Sequence, residues 1–439
     1  MTDFTNLVSI LDRQDPSRVA FTYAQGEAKV DLTFAEVRSR IEAYPLPKEQ
    51  VIGIFADTNI ETIVAIFALA GKRQIVLLSS DDPSPTIAAQ IEATHIQKLI
   101  GDEDLVEEFA PLLTKETAEQ GTNILFFTSG TTSKAKAVVL TQDSLTAAAA
   151  NGGALLPLSE NDSLLSVLPL SHVYGFVCAL LWPLSFGAKV CLGRGMRSIF
   201  FDFAFFAPTA TVLVPQMAGF LEAKNLFNPE LKLILIGAGI CPRPVIDAIR
   251  KRGIRVSFGY GLTETSSGIA LSLGEDPYAM SICPQDHVEI APDGEILVTS
   301  STTLFQGYYE DEEATAKVKR GDTLYTGDLG RLENGLLYVN GRKKEILVFN
   351  DGSKLFLPEY ERDLEYALGL GTDFAVMQDP QGNLVLVLHD ARDVSPTIDA
   401  FNQKQARSHR IGRIIYAEHP LPRTKTNKVK RYQIDLSKE

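Results

Sequence analysis

The stretch from Thr128 to Lys136 combines hydroxyl, glycine and lysine residues in a pattern suited to binding phosphate. It reads Thr-Ser-Gly-Thr-Thr-Ser-Lys-Ala-Lys, contains no acidic group and lies between two short apolar runs, 124–127 and 137–140. Hydroxyls and backbone N–H groups can donate to phosphate oxygens, glycine allows close approach, and lysine supplies charge. On its own, such a loop is more often a plain polar turn. The candidate phosphate ligands are Thr128, Ser129, Gly130, Thr131, Thr132 and Lys136.

A second segment with chemical potential, residues 259–265, reads Gly-Tyr-Gly-Leu-Thr-Glu-Thr. The two glycines that flank Tyr260 predict a tight turn at the end of a strand over 255–258. Such a turn can present the ring of Tyr260, the hydroxyl of Thr263 and the carboxylate of Glu264 together. A flat ring can stack on a base, a neutral hydroxyl can donate to phosphate, and a carboxylate is a hard oxygen ligand for Mg²⁺.

These segments resemble, in the same order along the chain, motifs of the acyl-adenylate-forming (AMP-binding) superfamily. That superfamily comprises acyl-CoA synthetases, adenylation domains of peptide synthetases, and luciferases. The loop at Thr128 is similar to its signature T-S-G-T-T-G-x-P-K-G, with Ser133, Ala135 and Ala137 as departures. Residues 421–431 resemble its closing motif L-P-x-T-x-x-G-K-x-x-R, with Asn427 in place of the glycine.

The resemblance implies a role for each matching residue. Tyr260 and the turn at 237–239 would flank adenine, Thr263 would bind the α-phosphate, and Glu264 would bind Mg²⁺. Asp328 would hold the ribose hydroxyls, Arg342 ribose and phosphate, and Lys344 would be a hinge. Lys428, Thr263 and Glu264 are the implied catalytic residues. The implied nucleotide ligands outside the loop are Gly237, Ala238, Gly239, Tyr260, Gly261, Thr263, Asp328, Arg342 and Lys428.

The acid pocket is predicted from residues 169–175, which resemble the family's P-L-x-H-x-x-G. Amino-acid-activating relatives carry an Asp near this histidine, whereas Ser171-His172-Val173 offers no acid, which favours a plain carboxylic acid. Aromatic, medium-chain and long-chain acids all remain open, with a fatty acid slightly ahead. The predicted pocket residues are His172, Val173, Tyr174, Phe176, Ala238, Ser266 and Ser267.

Strand-like and helix-like segments alternate over residues 1–120, which predicts an α/β fold. We expect a large N-terminal domain, residues 1–343, of mostly parallel sheets flanked by helices plus a β-barrel-like part. Residues 344–439 are expected to form a small, mobile α+β cap that carries Lys428. Between 404 and 431 this tail holds nine Lys or Arg residues against one acid, Glu418, which suits a polyanion such as ATP or coenzyme A.

Composition limits the function classes. The 439-residue chain carries a formal charge of −13, which argues against a general nucleic-acid binder. Its four cysteines are far apart with no C-x-x-C pair, so neither a disulfide framework nor a zinc site is indicated, and a reducing cytoplasm fits. Neither a signal peptide nor a membrane span is predicted, since the most apolar run, 173–184, is shorter than the roughly 20 residues a span needs.

The implied activity is ATP-dependent formation of an acyl-AMP, followed by transfer of the acyl group to a thiol. Joining a carboxylate to the α-phosphate brings two anions together, so catalysis should rest on charge cancellation and alignment. Coenzyme A is the first predicted acceptor, and the phosphopantetheine of a separate acyl carrier protein is the second. A catalytically weakened nucleotide- or acyl-binding paralogue is the third alternative, supported by the departures at 133, 135, 137 and 427.

Overall fold

The computed structural model describes residues 5–436, except 116–120, 129–135, 196–197, 240, 350, 370 and 424–428. The described chain divides into two compact units. The first takes in residues 5–128, 136–326 and 330–339, and the second takes in residues 327–329 and 340–436. The predicted domain boundary at 343 stays a prediction.

The helices up to residue 342 are α1 (Leu7–Asp12), α2 (Phe34–Glu42), α3 (Ile60–Leu69), α4 (Ser84–Ala93), α5 (Glu103–Phe109), α6 (Gln142–Leu155), α7 (Val173–Phe176), α8 (Trp182–Ser185), α9 (Ile199–Phe206), α10 (Pro215–Ala223), α11 (Arg243–Lys251) and α12 (Glu312–Val318). The strands are β1 (Val19–Gln25), β2 (Ala28–Thr33), β3 (Val51–Phe55), β4 (Gln74–Leu78), β5 (Lys98–Ile100), β6 (Ile124–Phe127), β7 (Ala137–Leu140), β8 (Ser163–Ser166), β9 (Lys189–Leu192), β10 (Ala210–Leu213), β11 (Leu233–Ile236), β12 (Arg255–Leu262), β13 (Ser267–Ser272), β14 (Met280–Ile282), β15 (His287–Ile290), β16 (Glu295–Thr299), β17 (Gly307–Tyr308), β18 (Lys319–Arg320), β19 (Thr323–Glu333) and β20 (Leu336–Arg342).

The smaller of the two main sheets has six strands in the order β17-β7-β6-β4-β3-β5. Strands β5, β3, β4 and β6 are parallel, while β7 and β17 add antiparallel edges. Every residue of β3 and β4 is buried, as expected for parallel strands covered by helices on both faces. The loop that follows β6 therefore begins at the carboxyl edge of this sheet, where open α/β sheets bind ligands.

The larger sheet changes from parallel to antiparallel within one strand, β12. Its residues 255–258 pair in parallel with β11, and its residues 259–262 pair in antiparallel fashion with β13. On the parallel side lie β10, β8, β9 and β1; on the antiparallel side lie β14, β20, β19, β16 and β15. The antiparallel strands β13, β14, β20, β19, β16 and β15 form the part of the domain that was predicted to be β-barrel-like.

Local sequence accounts for several element ends. The pattern Thr33-x-x-Glu36 predicts a capping box at the start of α2, and the structure forms it. The Thr33 hydroxyl accepts from the Glu36 N–H at 3.2 Å, and the Glu36 carboxylate accepts from the Thr33 N–H at 2.7 Å. The apolar run 173–184 forms one continuous helix in which residues 177–181 make a π-helical turn between α7 and α8.

Among the described helices, none is long and apolar enough to cross a membrane.

The second unit contains a β21–β22 hairpin (Ile346–Val348, Lys354–Phe356) and a sheet of β23 (Asp373–Gln378), β24 (Leu384–His389) and β25 (Ile411–Tyr416), with α13 (Leu357–Leu368) and α14 (Ser395–Asn402). One cluster of buried side chains joins the hairpin and both helices to the sheet. A separate cluster joins other sheet residues to Leu421, Val429, Ile434 and Leu436. The C-terminal segment is thus part of the core of this unit.

A buried carboxylate in the first unit makes its stability depend on pH. Burial raises the pKa of Asp286 to about 6, although Thr303, Ser300 and Asn151 hydrogen-bond to it and act in the opposite direction. Because the folded protein holds this proton more tightly than the unfolded chain, the group's stabilisation is complete below about pH 4 and is lost as pH rises through about 6. Over this pH range the free energy of unfolding should fall by about 3 kcal/mol.

We expect Asp286→Asn to remove this contribution, because an amide does not titrate. The melting temperature of the variant relative to wild type should therefore rise between about pH 4.5 and about pH 7.5. Thermal unfolding followed by circular dichroism at the two pH values measures the difference. A difference that is the same at both would contradict the assignment.

Candidate active site

The two ends of the predicted phosphate loop meet at the mouth of the β6–β7 hairpin. The backbone N–H of Thr128 donates to the carbonyl of Lys136 at 3.0 Å, and the flanking strands have the predicted bounds. Ser129, Gly130, Thr131 and Thr132 lie outside the described residues. Thr128 and Lys136 are thus held together at a sheet edge suited to a ligand.

The segment around Tyr260 does not turn where the glycines predicted it would. Strand β12 continues to Leu262, and the chain turns only at 263–265, a single 3₁₀ turn. The expectation of a tight turn at the end of 255–258 is therefore wrong. Gly261 is required for another reason, since a Cβ at this position would lie 1.7 Å from the carbonyl oxygen of Ser267. Glycine at this position allows the backbone of β12 to approach the backbone of Ser267 closely, and it is not needed for a turn.

Thr265 locks the turn that carries Thr263 and Glu264. Its hydroxyl accepts from the N–H of Leu262 at 2.9 Å and donates to the carbonyl of Ser267 at 2.8 Å. Ser266 and Ser267 then adopt left-handed backbone angles, with φ of 52° and 111°. Such angles are costly for residues other than glycine and cluster at functional sites. The turn is therefore held in one conformation by its own hydrogen bonds.

Gly261→Ala should disrupt this turn, because its methyl group would collide with backbone rather than with a movable side chain. We expect a loss of about 1–3 kcal/mol of unfolding free energy, together with weaker binding of ATP. Urea denaturation and calorimetry with a non-cleavable ATP analogue measure the two effects. Gly274→Ala is the control, because a Cβ there meets nothing within 4 Å. Wild-type behaviour of Gly261→Ala would refute the close approach.

The carboxylate of Glu264 is positioned by Tyr308, which is not among the residues predicted from the sequence. The hydroxyl of Tyr308 donates to Glu264 Oε1 at 2.7 Å, and the N–H of Phe305 donates to the Glu264 carbonyl at 2.9 Å. Lys136 Nζ lies 4.3 Å from the centre of the Tyr308 ring. Tyr308 therefore joins the phosphate loop to the predicted metal ligand. The available signal was the Gly307-Tyr308 pair, which resembles a family motif.

A single carboxylate beside a lysine fits Mg²⁺ bound together with phosphate oxygens. Mg²⁺ is usually held by one or two carboxylates plus substrate phosphates rather than by a cage of protein ligands. Among the described residues, no three His, Cys, Asp or Glu side chains form such a cage. Glu264 is the candidate ligand, with its carboxylate oriented by Tyr308 and with positive charge nearby on Lys136.

The turn at 237–239 is packed against Tyr174. A Cβ at Gly237 would lie within 2.9 Å of the Tyr174 ring, so glycine is required there, and Ala238 has φ of 60°. The Tyr174 hydroxyl donates to the carbonyls of Leu213 and Leu235 at 3.3 and 3.1 Å. Burial raises the pKa of Tyr174 well above its usual value. Tyr174 thus packs directly against the turn at 237–239, and its hydroxyl is hydrogen-bonded to backbone carbonyls.

The other predicted pocket residues differ in their placement. His172 is half-buried immediately before α7, while Val173 is buried. Phe176 is fully buried and packs edge-to-face on Phe126 of β6, with ring centres 5.5 Å apart. Phe176 therefore packs in the core beside β6, and its role as a pocket residue stays a prediction. The remaining candidates, Ser266 and Ser267, are both buried, and the Ser267 hydroxyl lies 3.3 Å from the thiol of Cys178.

In the second unit, Asp328 and Arg342 form a pair. Arg342 Nε lies 3.0 Å from Asp328 Oδ1, with the arginine half-exposed and the aspartate buried. Both were predicted to contact ribose, and the structure brings them together. Lys344, the predicted hinge, is exposed in a single 3₁₀ turn, 343–345. Asp328 lies within β19.

Lys428 lies outside the described residues. The chain on both sides of 424–428 is held to the rest of the second unit by hydrogen bonds and ion pairs. Arg423 pairs with Val429 as an antiparallel bridge, and its guanidinium lies 2.5 Å from Asp373. Arg431 binds the carboxylate of Glu361 at 2.5 Å, and the same carboxylate accepts from the N–H of Val376 at 2.7 Å. Helix α13, which carries Glu361, and the segment 421–431, which resembles the family's closing motif, are thereby connected.

Comparison with known proteins agrees with this arrangement. Residues 11–309 match the family described as AMP-binding enzyme. The 2-succinylbenzoate–CoA ligase of Bacillus cytotoxicus is 25% identical over 429 residues, which cover 89% of this chain and 89% of that protein.

Two solved structures of the O-succinylbenzoate coenzyme A synthetase from Bacillus subtilis share the fold. The complex with ATP and magnesium ion has a TM-score of 0.82 at 24% identity, covering 98% of each chain. The complex with the acyl-adenylate intermediate has a TM-score of 0.83 at 24% identity, covering 99% of this chain and 98% of that one. The predicted α/β fold is thus confirmed. Since the matched residues span most of the sequence, the chain belongs to the family of AMP-binding enzymes.

Proposed function

We propose that this enzyme joins a carboxylic acid to the thiol of coenzyme A in two steps, by way of an acyl-AMP, using ATP and Mg²⁺. The observation that carries the proposal is the cluster of Lys136, Tyr308 and Glu264 beside the turn that presents Thr263. It combines a cation, an oriented carboxylate and a hydroxyl donor, which are the groups that a triphosphate requires. The similarity to ligases that form CoA esters supports the same class of reaction.

In the first step the carboxylate of the acid attacks the α-phosphate, and pyrophosphate leaves. The barrier is the approach of two anions, so the protein must cancel charge and align the reactants. Lys136 would offset charge on the phosphates, and Thr263 would donate to the α-phosphate. Mg²⁺ held by Glu264 would supply Lewis-acid stabilisation of the phosphate charge. Lys428 would stand between the carboxylate and the α-phosphate.

The remaining roles concern the nucleoside and the second step. Tyr260 and the turn at 237–239 would hold adenine, while Asp328 and Arg342 would hold ribose through a bidentate acceptor and a fixed cation. A change of backbone angles at Lys344 would then remove Lys428 and admit the thiol of coenzyme A. The thiol attacks the acyl carbonyl and AMP leaves, so no protein nucleophile is required.

The acid is proposed to be aromatic rather than a fatty acid. The B. cytotoxicus relative is named for 2-succinylbenzoate, which carries a benzene ring, and nothing in the similarity supports the fatty acid that the sequence slightly favoured. The absence of an acid at Ser171-His172-Val173 agrees with a substrate that has no ammonium group.

The test is pyrophosphate release from ATP with a panel of aromatic and fatty acids. We expect release with an aromatic acid, and CoA ester formation only when coenzyme A is added. Release without ester formation would favour an acyl carrier protein as the acceptor. Tight ATP binding without release for any acid would favour the weakened paralogue and refute the ligase.

A further inference from the structure

Lys319, the first residue of β18, is a half-buried cation beside the segment that leads into β17. Its ammonium group donates to the carbonyl of Phe305 at 2.5 Å and to that of Gln306 at 3.3 Å. The same nitrogen lies 5.4 Å from the centre of the Phe305 ring. Since a charged donor makes stronger hydrogen bonds than a neutral one, Lys319 holds the backbone at 305–306 firmly.

The segment that Lys319 holds has little regular structure of its own. Residues 300–306 form neither helix nor strand, and β17, which follows them, is an edge strand of two residues. It pairs with β7 through Gly307 and Tyr308. So short a strand makes few hydrogen bonds with its neighbour, so its position also depends on side chains that bind the adjoining backbone.

Phe305 connects this segment to the turn that carries Glu264. Its N–H donates to the Glu264 carbonyl at 2.9 Å, and its fully buried ring packs edge-to-face on Tyr308, with ring centres 5.2 Å apart. The Tyr308 hydroxyl donates to the Glu264 carboxylate at 2.7 Å. The residue that Lys319 holds therefore contacts both the backbone of Glu264 and the side chain that orients its carboxylate.

The ammonium group of Lys319 gives up part of its hydration to make these contacts. Burial lowers the pKa of Lys319, and the charge of Asp322 acts in the opposite direction. Removing a charge from water is unfavourable unless hydrogen bonds replace its hydration, and the two carbonyls supply them. Lys317, two residues earlier, differs: it is exposed and pairs with Glu313 at 2.6 Å. The chain thus provides a matched pair of lysines, one buried beside the site and one in solvent.

We propose that Lys319 is a positioning residue for the metal site: by holding residues 305–306, it keeps Tyr308 and Glu264 in the geometry that binds Mg²⁺ together with the nucleotide. This inference rests on the proposed function and adds to it a residue outside the predicted site. Groups that orient a metal ligand commonly contribute about 10–100-fold to metal affinity without touching the metal. Loss of Lys319 should therefore reduce what Mg²⁺ adds to nucleotide binding, and not nucleotide binding as such.

The first test measures binding with and without the metal and does not depend on turnover. Calorimetry gives the affinity for a non-cleavable ATP analogue in Mg²⁺ and in EDTA. Lys319→Met keeps the length of the side chain and removes the charged donor; its affinity in Mg²⁺ should be about tenfold weaker than that of wild type. Its affinity in EDTA should be unchanged. An equal loss under both conditions would overturn the inference, because it would indicate a direct effect of charge on phosphate or a disturbed fold.

Two further variants test the route by which Lys319 acts. Lys317→Met is the matched control, because it removes an exposed ammonium group from the same part of the chain, and it should bind as wild type does in Mg²⁺ and in EDTA. If Lys319 acts through Glu264, then adding Lys319→Met to Glu264→Gln should cause no further loss of affinity in Mg²⁺. Fully additive losses in the double variant would contradict the proposed route.

Rescue separates positioning from a general loss of packing. Lys319→Arg keeps the charge and the donors, so its affinity in Mg²⁺ should lie closer to wild type than that of Lys319→Met; the opposite order would refute a role for the charged donor. Lys319→Gln, which keeps a neutral donor, replaces Lys319→Met if circular dichroism shows that variant to be unfolded, with an expected loss of about threefold.

Failure of the inference can be told apart from failure of the proposed function. Wild-type dependence on Mg²⁺ in a folded Lys319→Met or Lys319→Gln variant would refute the positioning role and leave the ligase intact. If no acid releases pyrophosphate, the ligase fails, while calorimetry still decides the role of Lys319. If Mg²⁺ does not strengthen binding of the analogue to wild type, the positioning role and the metal-binding role of Glu264 both fail.

Discussion

Lys428→Ala should reduce acid-dependent exchange of pyrophosphate into ATP by about 10²–10³-fold. The reason is that the first step joins two anions, and the proposed role of this lysine is to stand between them; removal of a group that stabilises developing charge commonly costs this much. Formation of the CoA ester from added acyl-AMP should remain close to wild type, since its reactants no longer include two anions that must meet. The two half-reactions are measured separately on the same preparation.

Lys430→Ala is the matched control for this variant. It removes a lysine from the same segment, and the backbone N–H of Lys430, which donates to Pro422 at 2.7 Å, is retained. We expect both half-reactions of the control to resemble wild type. Equal loss of both half-reactions in Lys428→Ala would remove the lysine from the first step and indicate a structural role instead.

Glu264→Gln should lower the rate of the first step by about 100-fold and raise the Mg²⁺ concentration needed for half-maximal activity. A neutral amide is a weaker ligand for a hard cation than a carboxylate, and Mg²⁺ binding to phosphate alone leaves its position undefined. Tyr308→Phe should lower the rate by about tenfold, because it removes only the hydroxyl that orients the carboxylate at 2.7 Å. Titration of Mg²⁺ in the pyrophosphate exchange assay measures both variants.

The double variant separates an orienting role of Tyr308 from an independent one. If Tyr308 acts through Glu264, then Glu264→Gln with Tyr308→Phe should be no slower than Glu264→Gln alone. Tyr309→Phe is the control: Tyr309 is the next residue and packs in a different core cluster, so its variant should retain wild-type activity. Additive losses in the double variant would show that Tyr308 contributes to catalysis by another route.

Much of the fold was accessible from sequence because local patterns determine local structure. The bounds of β6 and β7 are as predicted, since short apolar runs flanked by Thr or Lys leave little choice of where a buried strand begins and ends. The capping box at Thr33 predicted the start of α2 for the same reason. The apolar residues 212–215 also predict a strand, but β10 ends at Leu213, and Pro215 begins α10, where a missing N–H costs nothing.

What the sequence did not predict correctly about the site depends on contacts between residues that are distant in the chain. Gly261 was assigned to a turn, whereas its requirement comes from the carbonyl of Ser267 on the neighbouring strand. The contact of the Phe176 ring with Phe126, fifty residues earlier in the chain, likewise could not be predicted from the sequence. Tyr308 was passed over because its motif has no chemistry until the fold brings it to Glu264, forty-four residues away.

The sequence by itself determined the class of this protein: an α/β adenylate-forming enzyme with Thr263, Glu264, Asp328 and Arg342 at spacings that match family motifs. These are properties of short segments, and short segments keep their chemistry wherever they fold. Only the tertiary structure decided that Tyr308 orients Glu264 and that Gly261 lies against the backbone of Ser267. Both contacts join residues on separate elements, so they exist only after the chain has packed.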